Sequence, residues 1–190
     1  MKRPSNRDHV IATASDLFLQ KGLMNTSMDD VVAQSKVSKS NIYYHFKSKE
    51  ELVVAVLSYR MSLLRDTLDK IVHATKLPVQ KRVELIFTTL AEELEGRGCV
   101  GGCPILSLLS AQIPEVKTRI NAFLQELQGA AEKLLAEGIA RKEFKADIPL
   151  AQTAALLVTI LEGAMLLAES HGNAHELEKA GKTLLHLIQV

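Results

Sequence analysis

The sequence predicts an all-α protein in which an N-terminal three-helix domain is joined to a larger C-terminal helical domain. Nearly every segment places apolar residues at helical spacing, and no segment shows the apolar–polar alternation of a half-buried strand. The chain has 190 residues, of which 47% are hydrophobic. This length allows a sizeable core, either in one domain or in a small domain joined to a larger one.

An amphipathic helix is predicted after Lys2, Arg3 and Arg7. A pair of short helices with a tight turn between them is predicted next. Ser27 or Thr26 can cap the first of the pair, because a hydroxyl oxygen accepts from the free N–H groups at a helix start. Asp29 and Asp30 follow in its first turn, where negative charge complements the helix dipole.

The second short helix presents an outward face of hydrogen-bond donors and aromatic rings. Ser38 can cap it, and Val31, Val37, Ile42 and Phe46 have the spacing to pack the unit together. The outward residues are Lys39, Ser40, Asn41, Tyr43, Tyr44 and His45. This face has almost no negative charge and therefore suits insertion into a DNA groove.

The segment Ser27–Leu52 resembles the helix-turn-helix of the TetR family of bacterial transcriptional repressors. Residues at the family's spacing are Tyr43, Tyr44, His45, Phe46, Lys49 and Leu52. Upstream, the residues that match the family's first helix and its closing glycine are Val10, Ile11, Ala14, Leu17, Phe18 and Gly22. The close resemblance covers about the first 55 residues, and beyond them the match is in length and helical layout. The chain departs from the family at Lys36, where a glycine is usual, and at Val32, where an alanine is usual.

The resemblance implies DNA contacts for the matching residues. The recognition helix would meet base edges through its first residues, and phosphates and thymine methyls through its aromatic ones. Two residues at helix N-termini, Ser27 and Lys49, would hold the DNA backbone. The predicted DNA-binding set is Ser27, Ser38, Lys39, Ser40, Asn41, Tyr43, Tyr44, His45 and Lys49. An alternative is that Tyr43 and Tyr44 pack on the following helix and His45 caps.

Six further helical segments are predicted after this motif. They span approximately residues 49–74, 78–95, 104–112, 114–142, 149–170 and 174–188. Ser48 caps the first, Pro78 fits a first helical turn, and Gly172 with Asn173 separates the last two. We therefore predict a DNA-binding domain over residues 1–48 and an effector-binding and dimerisation domain over residues 49–190.

The segment 149–170 is apolar nearly all the way round, so it must be covered on several sides. A second subunit would cover one of them, and small residues would let the helices approach closely. The TetR resemblance also implies a homodimer formed by the last two helices. The predicted interface residues are Ala151, Ala155, Gly163, Leu177, Leu184 and Ile188.

The resemblance further implies a small-molecule pocket inside the C-terminal domain. The predicted lining is Met61, Phe87, Leu90, Cys103, Leu106, Leu109, Phe123 and Met165. An ordinary hydrophobic core would use the same residues. The expected effector is apolar or amphipathic, because few buried charges are available to bind it.

Three polar or reactive residues in the C-terminal domain allow more than one interpretation. Cys99 and Cys103 lie in a Gly-rich loop, where they could sense thiol oxidation or simply form an apolar wall. Their C-x3-C spacing is poor for zinc, and we expect no metal and no cofactor. Glu162 is a carboxylate in the most apolar helix and needs a partner. It could orient a polar group of a ligand or bond across the dimer.

The net charge is +1, with eight Lys and Arg against five Asp and Glu in residues 1–50 and fifteen against seventeen in the remainder. The mild excess of positive charge at the N-terminus is what an N-terminal nucleic-acid-binding domain would show.

Motifs and apolar runs argue against several classes of function. No phosphate loop, nucleophile elbow or metal-ligand cluster is present, so we predict no enzyme. No apolar signal segment follows Met1 and no apolar run reaches about 18 residues, so a soluble cytoplasmic protein is expected.

The sequence therefore predicts a ligand-responsive, sequence-specific DNA-binding regulator. The favoured form is a repressor that a small molecule releases from a palindromic operator. The alternative is a regulator that senses redox state through Cys99 and Cys103.

Overall fold

A computed structural model describes residues 5–190. It contains eight α-helices, α1 to α8, over Asn6–Gln20, Met28–Ser35, Lys39–His45, Lys49–Val72, Val79–Glu95, Pro114–Ala140, Leu150–His171 and His175–Ile188. A 3₁₀ helix covers Leu106–Ala111. Within the described residues the only β-type pairing is an isolated bridge between Phe144 and Gln189. The all-α prediction is confirmed, and the predicted helices agree with the observed ones to within about two residues at most ends. Residues 1–4 of the predicted first domain lie outside the described residues.

The chain divides into two compact units. The first comprises the described residues up to Leu64 together with Pro104–Ile120, and the second comprises Arg65–Cys103 and Asn121–Val190. These units differ from the predicted domains, 1–48 and 49–190, because compactness groups the first part of α4 and the 3₁₀ helix with the N-terminal helices. The division of labour between DNA binding and effector binding stays a prediction.

The first unit has a core built by α1, α2 and α3. All five predicted apolar residues of α1 are buried, and Ile42 and Phe46 close the core from α3 and its C-terminal end. Ser5 caps α1 by accepting from the Asp8 N–H at 3.2 Å. Helix α1 contacts both α2 and α3, so it is the platform on which the two short helices are held.

A buried arginine connects three segments of the first unit. The guanidinium of Arg60, in α4, donates to the Ser15 hydroxyl at 3.0 Å and to the Ser15 carbonyl at 2.8 Å. It also donates to the Ser107 hydroxyl at 3.2 Å and to the Pro104 carbonyl. Since only 3% of Arg60 is exposed, these acceptors replace the water that the cation loses on burial. Arg60 thereby ties α1, α4 and the start of the 3₁₀ helix together.

The second unit is organised around α8, which packs against both α5 and α7. Gly181 of α8 lies against the ring of Phe87 in α5. Arg82 is completely buried, forms an ion pair with Glu137 and donates to the Val72 carbonyl at 2.7 Å. A single buried cation therefore holds the end of α4, the start of α5 and the end of α6.

We expect Gly181→Ala to destabilise the protein by about 1–3 kcal/mol, because overpacking forces backbone and side chains to shift. A Cβ at position 181 would lie 2.5 Å from Cγ of Phe87. Gly129→Ala is the matched control, since its Cβ would meet nothing within 4 Å and should stabilise α6 by about 0.5–1 kcal/mol. Chemical denaturation of both variants measures the difference. Equal unfolding free energies for the two variants would contradict the close packing of α5 on α8.

Helix α7 is long and apolar enough to cross a membrane by length and composition alone. It is the one such helix among residues 5–190, and 33% of its apolar window is buried. Core helices of soluble proteins meet the same criterion, so α7 is not evidence for membrane insertion.

Candidate nucleic-acid interface

The start of α2 is held by a reciprocal pair of hydrogen bonds. The Ser27 hydroxyl oxygen accepts from the Asp30 N–H at 3.1 Å, and the Asp30 carboxylate accepts from the Ser27 N–H at 2.8 Å. The Ser27 hydroxyl and then its N–H lower the pKa of Asp30 to about 2. The Ser27 side chain is therefore engaged inside the protein, while the backbone at the start of α2 remains at an exposed edge.

The turn between α2 and α3 passes through a left-handed residue. Lys36 has φ of 57°, and its N–H donates to the Val32 carbonyl at 3.1 Å. A residue with a Cβ costs roughly 1 kcal/mol more than glycine there. Within the turn the Val37 N–H donates to the Ser35 hydroxyl. From α1, Nε2 of His9 lies 3.1 Å from the Ser35 carbonyl oxygen and supports the turn from outside. The departure from the family pattern at Lys36 thus leaves the helix-turn-helix intact.

Helix α3 exposes the residues that the sequence assigns to DNA. Ser38 caps it by accepting from the Asn41 N–H at 3.4 Å. Lys39 and Ser40 are exposed, and Tyr44 is 74% exposed. Helix α3 contains no acidic residue. These side chains form a protruding, donor-rich and aromatic surface on one short helix.

Three members of the predicted set are less free than the sequence suggested. The amide oxygen of Asn41 is buried and has no hydrogen-bond partner within residues 5–190. Tyr43 and His45 are half-buried. His45 meets the Tyr44 ring edge-on, with centroids 5.0 Å apart. The alternative in which Tyr43 and Tyr44 both pack on the following helix does not hold for Tyr44, because its side chain is largely exposed.

Lys39 is paired in the free protein. Its ammonium lies 2.8 Å from the Asp29 carboxylate and 5.9 Å from the centroid of the Tyr43 ring. The hydrogen bond and charge of Asp29 raise the pKa of Lys39. Both partners of this ion pair are largely exposed, so the pair stabilises the protein little. Breaking this ion pair so that Lys39 can bind a phosphate or a base edge therefore costs little free energy.

Lys49 forms a hydrogen bond within the protein, and its predicted contact with the DNA backbone stays a prediction. Its ammonium donates to the Leu23 carbonyl at 2.7 Å, in a half-buried position. This bond holds the start of α4 to the loop before α2, so Lys49 positions the motif from within. The sequence could not show this bond, because the long lysine side chain reaches a carbonyl that comes close only when the chain has folded.

The sequence interpretation missed Lys47, which is exposed beside Tyr44. Its ammonium donates to the Tyr43 and Tyr44 carbonyls at 3.0 and 3.3 Å and lies 5.8 Å from the centroid of the Tyr44 ring. A cation just after a helix is a known partner of the last carbonyls. That signal could have identified Lys47 from the sequence.

The predicted ligand-binding residues divide between the two units. Met61, Leu106 and Leu109 belong to the first unit, and Phe87, Leu90, Cys103, Phe123 and Met165 belong to the second. Phe87 packs on Gly181, whereas Phe123 lies under the Arg65 guanidinium at 4.8 Å from its ring centroid. A pocket shared by all eight residues stays a prediction.

Both cysteines are free thiols. Cys99 is buried, and Cys103 is half-buried with its Sγ donating to Oε1 of Glu162 at 3.5 Å. Among residues 5–190, no group of three or more His, Cys, Asp or Glu side chains could hold a metal ion.

The predicted dimer residues fall into two groups. Ala151 and Gly163 are exposed and Ala155 is half-buried, all on α7. Leu177, Leu184 and Ile188 have 0%, 1% and 5% exposure, because α8 turns its apolar stripe towards α5 and α7 of its own chain. These three lie in the core of their own chain, and their part in a dimer interface stays a prediction. The exposed large apolar residues of these two helices are Leu156, Leu166, Leu167 and Leu187.

Comparison with known proteins matches most of the chain. A family model described as bacterial regulatory proteins of the tetR family matches residues 10–56, and one described as a tetracyclin repressor-like C-terminal domain matches residues 80–184. The HTH-type transcriptional repressor DhaR from Mycobacterium sp. strain GP1 is 26% identical over 179 residues, covering 94% of this chain and 90% of DhaR.

Solved structures show the same fold. A TetR transcriptional regulator from Chloroflexus aurantiacus is 29% identical, with a TM-score of 0.82 over 97% of this chain and 96% of its own. The regulatory protein TetR from Rhodobacter sphaeroides is 20% identical, with a TM-score of 0.89 over 95% of this chain and 97% of its own.

Proposed function

Because this chain belongs to the TetR family of bacterial regulatory proteins, we propose that it binds a palindromic operator as a homodimer and leaves it when a small molecule binds the C-terminal domain. The family consists of transcriptional regulators, and this chain is one of its DNA-binding members. DhaR is named as a repressor, which supports repression as the direction of control. A regulator that binds chromosomal DNA acts in the cytoplasm.

The observation that carries the proposal is the exposed surface of α3. Lys39 and Ser40 stand at the start of the helix, where the first residues of a recognition helix meet base edges in the major groove. Tyr44 stands at the other end with its side chain largely in solvent. A hydroxyl, an ammonium and an aromatic ring are groups that pair with base edges, phosphates and thymine methyls.

Phosphate contacts would flank this helix. The N–H groups at the start of α2 are suited to phosphate, because the N-terminal end of a helix dipole is positive. The ammonium of Lys47 is also suited to phosphate, because it is exposed. We assign Lys49 a supporting role, since its ammonium is already bound to the Leu23 carbonyl. Ser38 acts through its cap, which fixes the angle at which α3 leaves the turn.

A homodimer would present two such helices to successive major grooves, roughly 34–36 Å apart. The exposed leucines of α7 support this assembly, because three large apolar side chains on one helix lie in solvent in the single chain. They extend the predicted interface, of which Ala151, Ala155 and Gly163 are kept. Small residues between the leucines would let two helices approach closely.

Release would follow from differential binding. An effector that prefers the subunit arrangement with mis-spaced recognition helices would lower operator affinity, and such coupling is typically about 1–3 kcal/mol. The redox alternative through Cys99 and Cys103 is not favoured, since the matched families and relatives fit a ligand-responsive regulator.

Selection of bound duplexes from a random DNA pool, at stated physiological salt, tests the proposal. The purified protein should enrich a palindrome whose half-sites are about one DNA turn apart. Binding without enrichment would contradict sequence-specific recognition. Enrichment of a single half-site would contradict the symmetric dimer.

A further inference from the structure

Glu162 is a half-buried acidic residue with one fully buried carboxylate oxygen, and the proposed DNA contacts and dimer do not use it. It lies in α7, on the same helix face as Val158 and Met165, four residues before and three residues after it. Both neighbours are buried. The carboxylate is therefore placed among apolar side chains of the second unit.

The structure turns Glu162 towards its own chain. Its Oε1 accepts a hydrogen bond from Sγ of Cys103 at 3.5 Å, and both residues belong to the second unit. A thiol is a weak donor. Of the two interpretations that the sequence left open, we favour a ligand contact over a bond across the dimer, because the carboxylate is already held against Cys103 of its own chain.

The second carboxylate oxygen of Glu162 is unsatisfied within residues 5–190. Oε2 of Glu162 is buried and has no hydrogen-bond partner among the described residues, and none of the described cations forms an ion pair with it. Burial raises the pKa of Glu162, and the Cys103 hydrogen bond opposes this only in part. Native proteins rarely leave such an atom unsatisfied without a functional reason.

We propose that Glu162 recognises the head group of the effector, and that this head group is the ammonium of an otherwise apolar amine. An ammonium supplies both features that Oε2 lacks, a hydrogen-bond donor and a compensating positive charge. Val158 and Met165 supply apolar surface for the rest of the molecule. The role of this amine as an effector rests on the proposed function, whereas the amine site itself does not.

A second carboxylate on α7, that of Glu169, has a backbone hydrogen-bond partner. Glu169, two turns further along α7, accepts from the Gly101 N–H at 2.9 Å. Its side chain already has a partner from the Gly-rich loop. Glu169→Gln is therefore a matched control, since it removes an equal charge from α7 without touching the unsatisfied oxygen.

Titration calorimetry on the purified full-length protein tests the site. The probes are hexylammonium and phenethylammonium, each compared with the alcohol and the carboxylate on the same frame. The ammonium compounds should bind at least about tenfold more tightly than the matched alcohols and carboxylates. Glu162→Gln should weaken ammonium binding about tenfold to a hundredfold, and Glu169→Gln should leave it unchanged.

Three results would overturn the site: equal ammonium binding by wild type and Glu162→Gln, equal binding of the alcohols, or no ammonium binding at all. A thermal denaturation midpoint near that of wild type shows that Glu162→Gln is folded. If it is not folded, Glu162→Asp keeps the charge, and it should retain the preference for ammonium over alcohol; loss of that preference would overturn the site.

Operator release is measured separately, on the duplex obtained by selection. Ammonium binding that depends on Glu162 but leaves operator affinity unchanged would overturn the effector role and keep the amine site. Failure to select any duplex would overturn the proposed function, while the calorimetry would still decide the amine site.

Discussion

Replacing Tyr44 with alanine should abolish operator binding at physiological salt. Tyr44 is 74% exposed, so its truncation removes a DNA contact without opening a core cavity. A contact of this kind is worth about 1–3 kcal/mol, and a dimer would lose it twice, roughly 2–6 kcal/mol in all. Electrophoretic or fluorescence titration of the selected duplex measures the loss.

The Tyr44 prediction has two controls. Tyr44→Phe keeps the ring and loses the hydroxyl, so it separates stacking or methyl contacts from a phosphate hydrogen bond. The molecular mass of Tyr44→Ala in solution should remain that of the dimer. Operator affinity equal to wild type in Tyr44→Ala, or dissociation of that variant into monomers, would contradict the assignment of Tyr44 to DNA.

Replacing Leu166 with glutamate should convert the dimer to monomers. Leu166 is 66% exposed in the single chain, at the centre of the apolar face that we assign to the interface. A carboxylate buried there without a partner costs about 3–5 kcal/mol, and two-fold symmetry would bring two of them together. Sedimentation at micromolar concentration should show the monomer, and operator affinity should fall by orders of magnitude, because one recognition helix would bind alone.

Leu63→Glu is the matched control for Leu166→Glu. Leu63 is 49% exposed on α4, so it receives the same change on a surface outside the assigned interface. It should remain dimeric. A dimer that persists in Leu166→Glu, or one that is lost equally in both variants, would move the interface away from α7.

Local signals account for the part of the fold that the sequence determined. Helix ends follow from residues that act on their immediate neighbours, such as the Ser27 cap, the Ser38 cap and the break at Gly172. The buried face of α1 was identified by the match of its apolar residues to the family's first helix, which is again a local pattern. The family resemblance follows from the spacing of residues at the end of α3 and the start of α4, which is also local.

The sequence determined which faces are apolar, and the tertiary structure decided what covers them. The stripe of α8 has the spacing of an interface and also of a core, and only packing showed that Leu177, Leu184 and Ile188 meet α5 and α7 of their own chain. The exposed leucines of α7 became recognisable only when the opposite face was seen to be buried.

The hydrogen-bond partners of long polar side chains were the feature that only the tertiary structure could show. Arg60 bonds to Ser15, which is 45 residues away in sequence, and Lys49 bonds to the Leu23 carbonyl, 26 residues away. Glu162 has a thiol 59 residues away on one oxygen and no partner within the described residues on the other. Periodicity carries no information about such pairs, because a flexible side chain binds whichever donor or acceptor the folded backbone brings within about 3 Å.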